Sequence, residues 1–195
     1  MNNFWHNANV EPKRNFRFLL SISAFPDAQW LAKTVERPKA NVSSVPHKII
    51  NHTFHYPGRL VWNPIAITLV DPVSPVDTTR TVDDFLKNSG YKRPAGTAGQ
   101  SFLNAQSALM KDKSVGALGT VWIRSLGKNA GLPGVAGKYA DEWTLNNSFI
   151  TGDVNFGSFD YGSEELLTIS FTLQYDWATL TKSGPTGWTG TGGPG

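Results

Sequence analysis

The chain has 195 residues, which is enough to bury one substantial core, and a single domain is the expectation. It contains no cysteine, which excludes disulfide bonds and thiolate metal sites, and its formal net charge of +3 is too small to indicate a nucleic-acid-binding protein. The longest apolar runs, such as residues 65–70, are far below the ~20 residues that a membrane-spanning helix needs, so we expect no membrane insertion by this chain.

The first third of the chain predicts strands. Apolar residues alternate with polar ones over residues 16–23, which is typical of a strand, and Arg17 interrupts the run in a way that disfavours a signal peptide. Pro38 and Pro46 then predict short edge pieces and a loop. Residues 51–71 predict two strands joined by a turn at Pro57 and Gly58, with Ile65, Ile67 and Leu69 on one face of the second strand.

Two helices are predicted in the middle of the chain. Over residues 78–88, Val82, Phe85 and Leu86 have helical spacing behind threonines that can cap the helix and acids in its first turn, and Gly90 ends it. Residues 101–113 repeat the spacing. Glycine-rich segments then surround one predicted strand at 120–126, and another strand is predicted at 141–152.

The clearest pattern is "ELLTISFTLQYDW" at residues 165–177. Its apolar residues share one parity and its polar residues the other, which predicts a long strand with one core face that ends at Trp177. Many strands with one or two short helices between them predict an α+β, mostly β fold: an antiparallel β-barrel or sandwich with flanking helices. We expect one domain over residues 1–182, with a loop insertion at about 92–138, and a Gly/Thr/Pro-rich extension at 183–195.

Residues with catalytic chemistry are few. His52 and His55 lie three apart, so on a strand they point to opposite faces and cannot both bind one metal ion without a bulge. The glycine-rich stretch at 127–138 lacks the spacing of a phosphate or dinucleotide loop. Adjacent acids at Asp83–Asp84 and Glu164–Glu165 fit a helix end and a turn better than acid–base catalysis. We therefore predict no catalytic residue, cofactor or metal site. Core packing explains the tryptophans Trp62, Trp122, Trp143 and Trp177 better than a sugar-binding cleft does.

Three segments in order resemble the tail tube proteins of contractile-tailed bacteriophages, within the superfamily that includes secretion-system tube proteins. They are "VERPKANVSSVPHKIINHTFHYPGRLVWNPIAITLVDP", the helix at 78–88, and "DEWTLNNSFITGDVNFGSFDYGSEELLTISFTLQYDW". The chain departs from the family pattern in the longer insertion at 92–138, in the proline before Gly58 and in the tail beyond Trp177. The resemblance extends over residues 14–177.

The resemblance implies a structural protein of the virion tail, not an enzyme. Six copies would form a ring, and rings would stack head to tail into a hollow tube that conducts the genome. Implied partners are the sheath protein, the baseplate tube-initiating and tail-terminating proteins, and the tape-measure protein and DNA in the lumen, with assembly in the host cytoplasm. Alternatives are a tube-initiating baseplate protein, a secretion-system tube protein, a carbohydrate-binding β-sandwich and a histidine-dependent hydrolase.

Charge is unevenly distributed, which suggests where copies meet. Eight bases and three acids lie between Glu11 and Arg59, whereas residues 141–176 hold seven acids and no lysine or arginine. Two different surfaces of opposite charge can attract each other in head-to-tail stacking. We predict that interface residues include three bases and three acids from these two segments and one tryptophan near each terminus. They are Arg37, Lys39, Arg59, Asp160, Glu164, Glu165, Trp5 and Trp188.

Overall fold

The structure, a computed structural model, describes residues 12–91, 108–127 and 139–181. Ten strands and three helices occur in these ranges. The strands are β1 (Phe18–Ile22), β2 (Ala32–Val35), β3 (Lys39–Ile49), β4 (His52–Asn63), β5 (Ile65–Val70), β6 (Val121–Leu126), β7 (Tyr139–Asn146), β8 (Phe149–Asn155), β9 (Thr168–Gln174) and β10 (Trp177–Thr181). The helices are α1 (Ala28–Leu31), α2 (Thr78–Asn88) and α3 (Lys111–Leu118).

Two four-stranded antiparallel sheets enclose one core. Sheet A has the strand order β1-β6-β7-β10, and sheet B has the order β2-β5-β9-β8. Inward residues of both sheets form a single cluster, in which β5 contributes Ile65, Ile67 and Leu69 and β9 contributes Ile169, Phe171 and Leu173, all nearly inaccessible to solvent. The mostly β fold with flanking helices is therefore confirmed.

Helix α2 covers part of this core, as its spacing predicts. Val82 and Phe85 are buried, and the Phe85 ring meets Phe25 edge to face at 6.5 Å between centroids. The cap differs from the expectation, because the Asp77 carboxylate, and no threonine, accepts a hydrogen bond from the Arg80 amide. The prediction of acids in the first turn is wrong: Asp83 and Asp84 lie one turn before Lys87 and pair with it.

The long strand predicted at 165–177 is shorter than expected. Strand β9 ends at Gln174, and after the buried Tyr175 the chain leaves sheet B and joins sheet A as β10. Trp177 therefore begins a new strand, paired with Asn146, and its side chain is 48% exposed. The prediction of a core position for Trp177 is wrong, since the alternating sequence pattern continues across a point where the backbone changes sheets.

Two further boundaries differ from the predictions. The strand expected at 141–152 is a hairpin, because Asn147 adopts a positive φ of 54° between β7 and β8. The helix expected at 101–113 begins only at Lys111, after an extended Met110. Residues 101–107 of that predicted helix lie outside the described residues.

Strands β3 and β4 pair with each other and with no other strand in the described part of the chain, and they form a long hairpin that we call the arm (residues 39–63). The sequence predicts loops at Pro46 and a turn at Pro57–Gly58, but both sites lie inside the arm's strands. Each strand of a two-stranded hairpin has a free edge, so a proline whose nitrogen faces that edge removes no ladder hydrogen bond. The actual turn is at residues 50–51, where Ile50 has a φ of 50°.

Candidate assembly surfaces

The arm exposes many large apolar side chains. Every residue of β3 is exposed, and so is most of β4. Seven of the arm's large apolar residues remain between 45% and 57% exposed in a single chain and include Val45, Ile49, Phe54 and Tyr56. Single exposed apolar residues are ordinary, but a contiguous strip of them indicates an interaction surface.

The outer half of the arm has two different faces. Directly paired residues in an antiparallel ladder point to the same side. One face consists of the cross-strand pairs Val45–Tyr56, His47–Phe54 and Ile49–His52, and the other of Ser44–Pro57, Pro46–His55 and Lys48–Thr53. The first, which we call the apolar arm face, is the kind of surface that a sheet buries against a partner.

The root of the arm is anchored in the core. Trp62, near the end of β4, packs against Trp143 at 6.5 Å and Tyr175 at 6.0 Å between ring centroids. Between root and outer half the strand register shifts, and Ser43 Oγ there accepts a hydrogen bond of 3.0 Å from the Arg59 amide. A Cβ atom on Gly58 would lie 2.2 Å from Ser43 Oγ and 3.0 Å from the Ser43 carbonyl oxygen, so a larger residue there would force Ser43 to move.

A second surface lies at the edge where β1, β2 and β6 meet. We call it the basic pocket: a depression of roughly 400 Å³. Five cationic side chains line it, namely Lys13, Arg14, Arg17, Lys33 and Arg37, and none of the described residues that line it is acidic. Val35 and Ile123 supply apolar surface between the charges. A site of this composition can hold carboxylates together with an apolar or aromatic side chain.

Asp141 holds one side of the basic pocket in place. This buried carboxylate on β7 accepts hydrogen bonds from Lys13 and, at 2.8 Å, from Arg37 Nη2. Burial acts to raise the Asp141 pKa, but hydrogen bonds from Lys13 and Ser125 and the charges of Lys13 and Arg37 together hold the pKa below its ordinary value. The carboxylate therefore remains ionised and fixes two of the five cations.

The third surface is the connection between β8 and β9, residues 156–167, which we call the acidic turn. It presents Phe159 and Tyr161, both almost fully exposed, beside the exposed acids Asp160, Glu164 and Glu165. Short-range hydrogen bonds order it: the Gly162 amide donates to Asp160 Oδ1 at 2.9 Å, and the Gly157 amide to Asn155 Oδ1 at 2.9 Å. Charged and aromatic groups are thus displayed on a turn whose backbone is already folded.

The predicted interface residues fall into separate places. Arg37 lies in the basic pocket, Lys39 pairs with Glu36 at 3.0 Å, and Arg59 lies on the arm. Asp160, Glu164 and Glu165 are together on the acidic turn. Trp5 and Trp188 lie outside the described residues, so their predicted interface role stays a prediction.

The two arm histidines are arranged as their spacing in the sequence predicts. His52 and His55 lie on opposite faces of the arm. Within residues 12–91, 108–127 and 139–181 no group of three histidine or acidic side chains is arranged to hold a metal ion. In those same ranges no helix combines the length and apolar character needed to span a membrane. Of the tryptophans assigned to the core, Trp62 and Trp143 pack against it.

Several solved structures have a similar arrangement of sheets. One similar chain comes from the sheath/tube terminator of an extracellular contractile injection system (PVC) in its extended state, with a TM-score of 0.60, 15% identity, and coverage of 89% of this chain and 99% of that one. Another comes from the tube-terminating cap of the anti-feeding prophage (AFP), with a TM-score of 0.60, 15% identity, and coverage of 93% and 99%. This chain shares their fold.

A third similar chain comes from the PVC sheath–tube complex in the extended state, with a TM-score of 0.57, 13% identity, and coverage of 88% of this chain and 92% of that one. No protein-family model matches the sequence, and no curated protein is significantly similar to it. The resemblance to tube proteins inferred from sequence is therefore confirmed as a shared fold, at identities that do not by themselves transfer function.

Sequence reasoning missed the arm as an assembly surface. Part of its signal was present, because Phe54 and Tyr56 alternate with the polar Thr53 and His55 after the turn, and Val45 and Ile49 share one parity before it. The two prolines concealed it, since they argue against a strand only where the backbone amide must pair within a sheet. The basic pocket had no local signal, because residues 13–17, 33–37 and 123–125 meet only in the folded chain.

Proposed function

We propose that the chain is the inner tube subunit of a contractile tail, that six copies form a ring, and that rings stack head to tail into a conduit for genome ejection. The sheath, the baseplate tube-initiating and tail-terminating proteins, the tape-measure protein and DNA would be its partners in the virion. The shared fold supports a tube-type structural role. The apolar arm face supplies the physical reason for self-association.

The apolar arm face is the observation that carries this proposal. A two-stranded hairpin without a covering layer is marginal in water, and here most of its large apolar side chains are about half exposed. Burial of such a strip against an identical subunit stabilises both the arm and the assembly, at about 25 cal/mol per Å² of apolar surface removed from water. A free monomer would leave this surface exposed.

The outward face of sheet B suits the wall of a conduit. It carries short uncharged residues in a cross-strand row, Ala66–Thr172–Thr151. DNA binds stably where lysine and arginine neutralise its phosphates, and that binding is salt-dependent. A lumen lined by hydroxyl groups would let DNA slide without being held.

The direct test is the assembly state of the purified chain. We expect rings with six-fold symmetry or long hollow tubes by negative-stain electron microscopy, and fast-sedimenting species whose amount increases with protein concentration. A chain that stays monomeric across the accessible concentrations would refute the proposal.

Deletion of residues 183–195, which carry Trp188, is expected to weaken assembly if that tail lies against a neighbouring subunit.

A variant of the apolar arm face separates self-association from folding. The substitutions Val45→Ser and Phe54→Ser are expected to abolish rings and tubes while the melting temperature of the monomer changes little, since both side chains are half exposed in the single chain. Val61→Ser is the matched control, because this valine is equally exposed but paired with Asn41 near the arm's root. Equal loss of assembly in both variants would show that the apolar arm face has no special part.

A terminating role is the second candidate, because two of the similar chains come from a tube terminator and a tube-terminating cap. A terminator has one face that docks on a tube and one that ends it, so it would form single rings and no filaments. The same micrographs distinguish the two roles: stacked rings favour the tube subunit, and isolated rings at every concentration favour the terminator.

A further inference from the structure

The acidic turn and the basic pocket are complementary in charge and in the kinds of side chain that they present. The pocket displays five cations around an apolar floor. The turn displays three carboxylates and two exposed aromatic rings. From Tyr139 to Asp176 the sequence contains no lysine, arginine or histidine that would offset the turn's charge. Surfaces with this relation steer association and fix which faces meet.

The two surfaces belong to different parts of the subunit. Strand β2 forms one edge of sheet B and, with β1 of sheet A, frames the basic pocket. Strand β8 forms the opposite edge of sheet B, and the acidic turn follows it. Glu164 and Glu165 make no ion pair among the described residues. A contact between two such surfaces on different copies is heterologous, and it repeats from subunit to subunit until a ring closes or a filament grows.

Resting on the function proposed above, we propose that the acidic turn of each subunit docks into the basic pocket of the next copy of this chain. Glu164, Glu165 and Asp160 pair with cations of the basic pocket, among them Lys33, which makes no ion pair within the described residues. Phe159 or Tyr161 packs between a guanidinium group and the apolar floor formed by Val35 and Ile123.

Local order in both surfaces favours this docking. The hydrogen bonds within the acidic turn fix its backbone before contact, so little conformational entropy is lost on association. Gly157, with a φ of 86°, is tightly surrounded: a Cβ there would lie 2.6 Å from Leu167 Cδ1. In the pocket, Asp141 fixes Lys13 and Arg37. Neither surface needs a large rearrangement to meet the other.

A charge-swap experiment tests the docking. The turn variant is Glu164→Lys with Glu165→Lys, and the pocket variant is Arg14→Glu with Lys33→Glu. Each variant alone would place like charges against each other, so we expect the concentration needed for assembly to rise about tenfold or more. A 1:1 mixture should restore assembly, because the pocket of each variant then meets a turn of opposite charge.

The control variant is Arg80→Glu with Lys113→Glu, which changes the net charge by the same amount as the pocket variant at exposed sites on α2 and α3. It should assemble like the wild type. The docking proposal is wrong if the turn and pocket variants assemble as readily as the wild type, or if their mixture fails to restore assembly. A wild-type chain that stays monomeric would instead refute the proposed function, so the two failures are distinct.

Cross-linking gives a second, independent measurement, which the absence of native cysteines makes clean. Chains with Ser163→Cys in the acidic turn are mixed with chains carrying Thr34→Cys beside the pocket and are mildly oxidised. We expect a covalent dimer of the two chains. Thr179→Cys, on the exposed strand β10 at the far edge of sheet A, is the control partner and should give little product. Absence of the Ser163–Thr34 product under conditions of assembly would overturn the docking.

Discussion

Asp141 shows how a single buried carboxylate organises a surface. It is the buried acid beneath a cluster of lysines and arginines, and its partners Lys13 and Arg37 are each about half exposed. Burial of an unpaired carboxylate is costly, so the two cations compensate for its desolvation while keeping their own stems on the surface. The arrangement joins the segment at 13–17 to β7 and to the start of the arm.

At this residue we predict a pH dependence of stability. Because the pKa of Asp141 in the folded chain is below its ordinary value of 3.8, its contribution is complete above that value and is lost as the pH falls through the lower folded-state pKa. Asp141→Asn should reduce the free energy of unfolding at pH 7 by about 1.5 kcal/mol, a modest amount because both cations regain water. Urea unfolding at pH 7 and pH 3 measures it.

The matched comparison is Asp112→Asn, an exposed acid on α3. The difference in stability between the Asp141→Asn variant and the wild type should shrink between pH 7 and pH 3, whereas Asp112→Asn should change stability little at either pH. A constant deficit at both pH values would mean that the loss comes from packing rather than from the charge of Asp141.

At the scale of elements, helix α2 closes one side of the core. Phe85 is 5% exposed and contacts Phe25, whereas the adjacent Leu86 is only partly buried. Phe85→Ala should lower the free energy of unfolding by about 3–5 kcal/mol, since it removes a buried ring and leaves a cavity. Leu86→Ala should cost clearly less. Thermal or urea unfolding gives both values, and a loss well below 1 kcal/mol for Phe85→Ala would make the helix peripheral.

Strands and helices with one buried face could be predicted from the sequence, because the residues on the buried face must be apolar. Their spacing then repeats with the period of a strand or of a helix. This holds for Ile65, Ile67 and Leu69 on β5 and for Val82 and Phe85 on α2. The period does not report which sheet a strand joins. It therefore continued through Tyr175 to Trp177, although the chain changes sheets between them.

The candidate surfaces were predictable only in part, for a related reason. Uneven charge along the chain indicated an acidic segment, and Asp160, Glu164 and Glu165 do lie together on one turn. Of the bases predicted to lie at the interface, Arg37 and Lys39 have different partners: Arg37 binds Asp141, and Lys39 binds Glu36. Contacts across more than 100 residues, such as that between Arg37 and Asp141, decide the pocket and leave no local pattern.

At the scale of the whole molecule, the outward face of sheet B is the candidate wall of the conduit. Thr172 lies in its middle, next to Ala66 on β5 and Thr151 on β8, and no charged side chain is paired with it. In the ring of six subunits proposed above, such a face would surround the central channel, contact a neighbour or face the sheath. Assembly geometry, and not the single chain, decides among the three.

Electron microscopy of a labelled Thr172→Cys variant would show where this face lies in the tube. The label reacts at one site, because the chain has no other cysteine. We expect the variant to assemble like the wild type. When its subunits are labelled with a maleimide–gold cluster before assembly, we expect tubes whose gold density lies along the central axis. The control is Thr179→Cys on β10 of sheet A, whose label should lie away from that axis, because sheet A packs on the other side of the core from the outward face of sheet B. Gold density along both outer edges of the tube for Thr172→Cys would place the outward face of sheet B toward the sheath. Loss of assembly on labelling would place that face between subunits. Either result would contradict the hydroxyl-lined conduit.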